Sequence, residues 1–288
     1  MNFIHKSLQL TAETTKDQIR IYRTGEEKAI LVQHAESDRR PYIHPIMAPD
    51  GKGELTENAP AHHPWQHGLY IGLNDVNGYG FWSEGLNPAR AHLDGTFHPR
   101  LIKEAQVTEQ QVTWSVETDY RDPQGNLLFK ETQNWEFNDL GDHYEMYLHL
   151  QMYAEVDLTL GHYPYGGLFL RMPYRQESGG MALNSEGKIN EEAEGKRARW
   201  VAVQMQIPDR DGVAGIAIMD HSMNLEHPVP WRVDGELGIC PSCSIAGAWT
   251  IQQGETCTFQ YDVLIFTGDI PISKVEESWT LFNRRKAQ

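Results

Sequence analysis

The chain has 288 residues, 40% of them hydrophobic and 23% charged, with 40 acidic against 25 basic side chains and a formal net charge of −15. That balance repels a phosphate backbone or an anionic membrane surface, so neither nucleic acid nor a membrane is expected as a partner. Eight Trp and the hydrophobic fraction exclude wholesale disorder, and no uncharged stretch approaches the ~20 apolar residues of a membrane span.

The first residues, Met1-Asn2-Phe3-Ile4-His5-Lys6, contain no apolar run of secretory length, which predicts a cytoplasmic location. The elements that follow are short segments alternating between polar and apolar residues, a period that suits strands with one wet and one dry face. In chain order they cover residues 18–23, 29–32, 111–119, 127–137, 144–153, 198–206, 215–219, 248–252 and 256–266, separated by turn-forming Asp, Asn, Pro and Gly at 122–125, 138–142, 209–212 and 253–254. A strand also begins at Gly68-Leu69. The polar, Gly- and Glu-rich stretch 178–197 reads as a long surface loop. One helix is predicted, over 272–285, with Ser273 as N-cap, Glu276 three residues on and apolar side chains at Val275, Trp279 and Phe282. Many antiparallel segments without alternating helices give an all-β chain: one large two-sheet antiparallel β-sandwich domain over 1–288 with a short C-terminal helix.

Histidine is unevenly placed. Seven of the thirteen fall between positions 34 and 98, a Pro- and Gly-rich region that reads as loops gathered at one end of the scaffold. His63 and His67 stand four apart, a chelating spacing on a helix but about 13 Å on a strand, and Pro64 and Gly68 argue against the helix. A divalent cation there would need His44 and His98 beside His63. Without one, His44, His63, His67 and His98 are candidates for proton transfer or for hydrogen bonds to substrate hydroxyls, with Glu57 as candidate base. Trp65, Tyr70, Trp82, Asn74 and Asn77 crowd the same region, and aromatic faces with amide and imidazole donors suit a small carbohydrate. Nucleotide fingerprints are absent, so no nucleotide cofactor is expected.

A second concentration runs from Asp220-His221 to Trp231 at the end of a predicted strand, with Asp220 able either to orient His221 or to cap a turn. Arg171 is a candidate clamp for a carbonyl or carboxylate, or one half of an ordinary ion pair. Cys240 and Cys243 have redox spacing, but with no second such pair and no βαβ pattern they read as buried thiols.

Arg40-Pro-Tyr-Ile-His44-Pro45, Thr56-Glu57, His63-Pro64, Val76-Asn77-Gly78, Phe81-Trp82, Gly95-Thr-Phe-His98, Gly167-Leu168, Arg171 and Asp220-His221 resemble the ordered motifs of the PmoA-like family of unknown function. The family's older label, methane oxygenase, does not suit a chain without membrane-spanning segments. The resemblance implies a supersandwich of galactose-mutarotase-like type, a place in bacterial sugar catabolism, and substrate contacts at Arg40, Asn77, Trp82, Arg171, Asp220 and His221. Together these readings lead to a carbohydrate-active enzyme acting on a sugar or keto-glycoside by elimination, hydrolysis or epimerisation. The alternative is a non-catalytic sugar-binding sandwich, and the subunit count is left open.

Overall fold

A computed structural model describes residues 9–285. The alternating segments are strands, and the alternation fixes which side faces inward: along Gln111–Arg121 every second residue, Val112, Trp114, Val116, Thr118 and Tyr120, is buried. Among the described residues, nine antiparallel strands form one sheet, whose long centre is Gln111–Arg121, Leu127–Asp139, Tyr144–Ala154 and Thr256–Thr267. Eleven shorter strands form the other, running from Leu10–Thr14 at one edge through Tyr42–Ile46, Leu69–Val76, Gly167–Leu170 and Ile239–Pro241 to Trp231–Val233.

The sheets stack face to face over one apolar core drawn from both, which bears out the all-β two-sheet sandwich. Polar ties cross it where they can be satisfied: Trp114 Nε1 donates to Gln33 Oε1 at 3.0 Å, and Arg23 forks onto Asp139 at 2.6 and 3.0 Å.

Two local expectations change. Residues 178–197 are not simply a loop, because Gly180–Asn184 pairs with Trp200–Gln206 as the edge of the nine-stranded sheet, followed by a 3-10 turn at Asn190–Ala193. The polar composition there reflects an edge strand with one wet face. The C-terminal helix is Ile272–Phe282, one turn shorter than predicted, and Ser273 lies inside it rather than capping it. Glu276 turns away from the helix start and accepts from both Arg199 terminal nitrogens, at 2.8 and 2.9 Å, and from Trp200 Nε1 at 3.0 Å. The helix thereby lies on the outer face of the nine-stranded sheet, where Val275 and Phe282 join Leu264, Met219 and Trp200 in a separate apolar cluster.

Candidate functional site

The eleven-stranded sheet is apolar on both faces at its centre. Ile43, Leu69, Ile71, Leu168 and Ile239 point into the core, while the alternating Tyr42, Tyr70, Phe169 and Cys240 point outward and, with Trp82, make a cluster of their own. Gly72 follows Tyr70 on this outer face. A Cβ there would stand 2.6 Å from the Trp82 ring, so the missing side chain is what lets the indole lie against the sheet. Asn74 is the next residue on the same face.

Arg40 fixes the loops above this floor. It is fully buried, its guanidinium lies 4.3 Å from the Tyr70 ring centroid, and it donates to Glu84 Oε1 at 3.0 Å, to the Trp65 carbonyl at 2.6 Å and to the Trp82 carbonyl. Burial opposes ionisation of Glu84, but Arg40 and a hydrogen bond from His67 outweigh it and hold the carboxyl below its ordinary value. The loop that carries His62 and His63 leaves and rejoins the sheet at one point: the Gly68 N–H donates to the Glu57 carbonyl at 2.9 Å, and the Arg171 N–H to the Gly68 carbonyl at 2.7 Å. Tight turns at Pro60–His63 and His63–Gln66 bring its tip back over the aromatic floor.

The result is a cavity of about 220 Å³. Trp65, Trp82, Tyr163 and Tyr165 supply aromatic walls, with the Trp82 and Tyr165 ring centroids 4.4 Å apart, and Arg90, Arg232 and Asp234 add charged groups. Four buried polar atoms on residues lining it, His63 Nδ1, Trp65 Nε1, Gln66 Oε1 and Asn74 Nδ2, have no hydrogen-bond partner among the described residues. Buried polar atoms are nearly always paired in a folded protein, and one left alone costs about 1–3 kcal/mol. Burial, and behind it the adjacent His62 and Arg171, push the His63 imidazole below its ordinary value, so it is neutral at pH 7.

The expected histidines do not converge on one hollow. His63 lines this cavity. His44 opens into a second one, of about 340 Å³, together with Glu57; its Nδ1 lies 2.9 Å from Thr56 Oγ1, and burial pushes it down to about 4. His67 is buried beneath the loop, its Nε2 donating to Glu84 Oε2 at 2.9 Å and its Nδ1 2.7 Å from Asn58 Oδ1, which gives it a structural role. His98 stands exposed on Thr96–Leu101 of the other sheet, on the opposite side of that strand from the core residue Phe97. A cation held by His44, His63 and His98 is therefore not assembled. Glu57 is taken up by Arg171 at 3.3 Å and Arg175 at 2.9 Å.

Arg171 is buried and paired, as the plainer expectation had it, to Glu57 and to Glu236, yet its Nη1 has no partner among the described residues. Trp82 lines the cavity, Arg40 supports it from below, and Asn77 is a turn residue at φ 53° whose amide bonds the Asp157 carbonyl and the Thr159 N–H. Asp220 accepts from His227 Nδ1 at 2.7 Å rather than orienting His221, which stacks edge-on to Phe282; both lie beneath the C-terminal helix, away from the cavity. Cys240, Cys243 and Cys257 are free, and burial raises all three thiols, Cys240 to about 12.

Sequence reasoning counted His62 in the histidine-rich region without giving it a role, and missed Tyr163, Tyr165, Arg232, Asp234 and Glu236. For Asp234 and Glu236 the cue was the turn-forming run Asp234-Gly235-Glu236-Leu237-Gly238, which looks like any surface turn. His62 Nε2 lies 2.9 Å from Glu236 Oε2, and with His63 these donors stand within 4.8 Å of one another. A cation fits this set poorly, because Arg171 Nη2 contacts Glu236 and lies 3.1 Å from His62 Nε2, so a positive charge already stands against two of the three donors.

Residues 18–280 match DUF6807, a family of unknown function. No curated protein matches the chain. Among solved structures, the Slr1438 protein from Synechocystis sp. PCC 6803 is 10% identical with a TM-score of 0.42, the alignment covering 93% of this chain and 100% of that one. A galactose mutarotase related enzyme from Lactobacillus acidophilus is 10% identical at TM-score 0.37, with 90% and 98% covered. A candidate aldose 1-epimerase from Klebsiella pneumoniae is 8% identical at TM-score 0.40, with 99% and 94% covered.

Proposed function

The chain belongs to the DUF6807 family, whose function is unknown, and from its own cavity we propose that it is a carbohydrate-active enzyme that holds one sugar ring and moves a proton with His63. The observation that carries this reading is the set of four unpartnered buried polar atoms on residues that line one aromatic-walled space. A ligand rich in hydroxyl groups can donate to His63 Nδ1 and Gln66 Oε1 and accept from Trp65 Nε1 and Asn74 Nδ2, while its apolar ring face lies on an indole. At about 220 Å³ the cavity is smaller than the ~300–1,000 Å³ of drug-sized sites, which suits one ring.

A neutral imidazole in a partly buried site is a competent base. In a sugar bearing a keto group, the C–H beside the carbonyl is the acidic proton, and Arg90 and Arg232 provide positive charge near an oxygen that becomes negative. Removal of that proton begins either epimerisation or elimination, and hydrolysis uses the same group to activate water.

Incubation of the protein with keto-glycosides in heavy water, followed by NMR, tests this directly. The wild type is expected to exchange the proton beside the carbonyl or to consume the glycoside. His63→Gln should lower the rate by about 100-fold or more while sugar affinity stays within threefold. An unchanged rate removes His63 from the chemistry. A binding module is the second reading, favoured by the ion pairs that already occupy Glu57 and Arg171; it prevails if sugars raise the melting temperature yet none is consumed.

Since Arg171 stands among the His62, His63 and Glu236 donors, chelation should leave sugar binding and turnover unchanged. Stoichiometric zinc or manganese by elemental analysis, with loss of activity on its removal, would restore the metal reading.

A further inference from the structure

Arg232 and Asp234 line two hollows at once. On one side is the aromatic cavity; on the other is a wider groove of about 600 Å³ between the edge strand Trp231–Val233 and the strand Gly180–Asn184 of the opposite sheet. Trp231 and Val233 are buried while Arg232, between them, is not, so the guanidinium stands out from the strand as a low ridge. Glu194 holds it there, its Oε1 accepting from Arg232 Nη1 at 2.5 Å. Asp234 Oδ1 is committed to its own turn, accepting from the Glu236 and Gly238 N–H groups at 2.9 and 2.8 Å. No hydrogen bond among the described residues engages Oδ2.

The groove differs in character from the cavity. It is more than twice as large, and Tyr174 is its one aromatic wall beside Asn190, Glu191 and Glu194. Bare backbone at Gly179 and Gly235 leaves room: a Cβ at either would meet nothing within 4 Å. An aromatic-walled pocket that shares a charged ridge with a roomier trough nearly free of aromatic rings fits a ligand of two unequal parts joined by a short flexible link. Resting on the single-ring reading of the cavity, we infer that the substrate is a glycoside, with the reacting sugar in the aromatic cavity, the glycosidic link over the Arg232–Asp234 ridge and a second sugar in the groove. A free monosaccharide would leave the groove to water and forgo its hydrogen bonds.

Titration calorimetry with glucose, galactose, cellobiose, maltose and lactose tests the inference. At least one disaccharide should bind about tenfold or more tighter than its own non-reducing monosaccharide. Gly235→Trp, at a position with an ordinary backbone conformation and open space for a side chain, should bring that disaccharide down to the monosaccharide's affinity. Glu191→Ala should weaken the disaccharide several-fold without filling the groove, which covers the case in which the tryptophan variant folds badly. Equal affinity for disaccharide and monosaccharide overturns the two-part substrate while leaving the single-ring cavity standing. Failure of every sugar to bind at millimolar concentration overturns both.

Discussion

His63 and His67 are four positions apart and chemically identical, yet only one of them has a nitrogen without a partner. The difference comes from residues elsewhere in the chain: Glu84 and Asn58 satisfy His67, and nothing among the described residues answers His63 Nδ1. No local pattern encodes that, so the candidate site was legible as a neighbourhood and not as an assignment. Trp82 was found because aromatic residues crowd His63 in sequence, whereas Tyr165 and Asp234 lie in the connections beside Gly167–Leu170 and Trp231–Val233, strands that come together only through their shared partner Ile239–Pro241. At this scale Gly72 makes the sharpest prediction. Gly72→Ala puts a methyl group into the Trp82 ring and should cost about 1–3 kcal/mol by overpacking, with sugar binding weakened far more than a loop variant of equal stability. Chemical denaturation paired with calorimetry checks both parts, and a variant that binds sugar as tightly as the wild type would show that the seat of Trp82 is irrelevant to the cavity.

The strands were the most readable elements, because a buried face imposes a period of two that survives without knowledge of the partner: 18–23 is the strand Gln18–Arg23, and 127–137 falls short of Leu127–Asp139 by two residues. Segment 178–197 was misread for the opposite reason, since an edge strand with one wet face and a turn beside it has the composition of a loop. Spacing alone also misassigned Glu276 to the start of the helix, when the fold brings Arg199 and Trp200 within its reach. Glu276→Ala should therefore loosen the C-terminal helix, leaving the Trp200 indole N–H without its acceptor at a cost of about 1–3 kcal/mol. Hydrogen exchange should rise along Ile272–Phe282 and remain unchanged around the cavity on the other sheet; unaltered protection of the helix would refute the anchor.

For the molecule as a whole, two buried carboxyls contribute a fall in stability toward higher pH. Burial raises Asp262, beneath the C-terminal helix, to about 8, and Glu131, inside the sandwich, to about 7. Both keep a proton in the folded state that the unfolded chain releases near pH 4, so stability falls as pH rises through each folded value. His44, lowered to about 4, acts in the opposite sense and only in acid, below its ordinary 6.5. The melting temperature should thus decline between pH 6.5 and about 8, where His44 no longer contributes, and Asp262→Asn should flatten that decline. A wild-type curve that is level across this interval would show that Asp262 ionises without penalty.

Arg40 carries a further consequence. One guanidinium grips the carbonyls of Trp65 and Trp82 and the carboxylate of Glu84, so segments from two separate stretches of chain are stapled together before any guest arrives. Loops fixed at the moment of folding have little backbone left to rearrange: liganded and empty forms should superimpose closely along the main chain, with side-chain rotation alone uncovering the buried donors and acceptors for the guest.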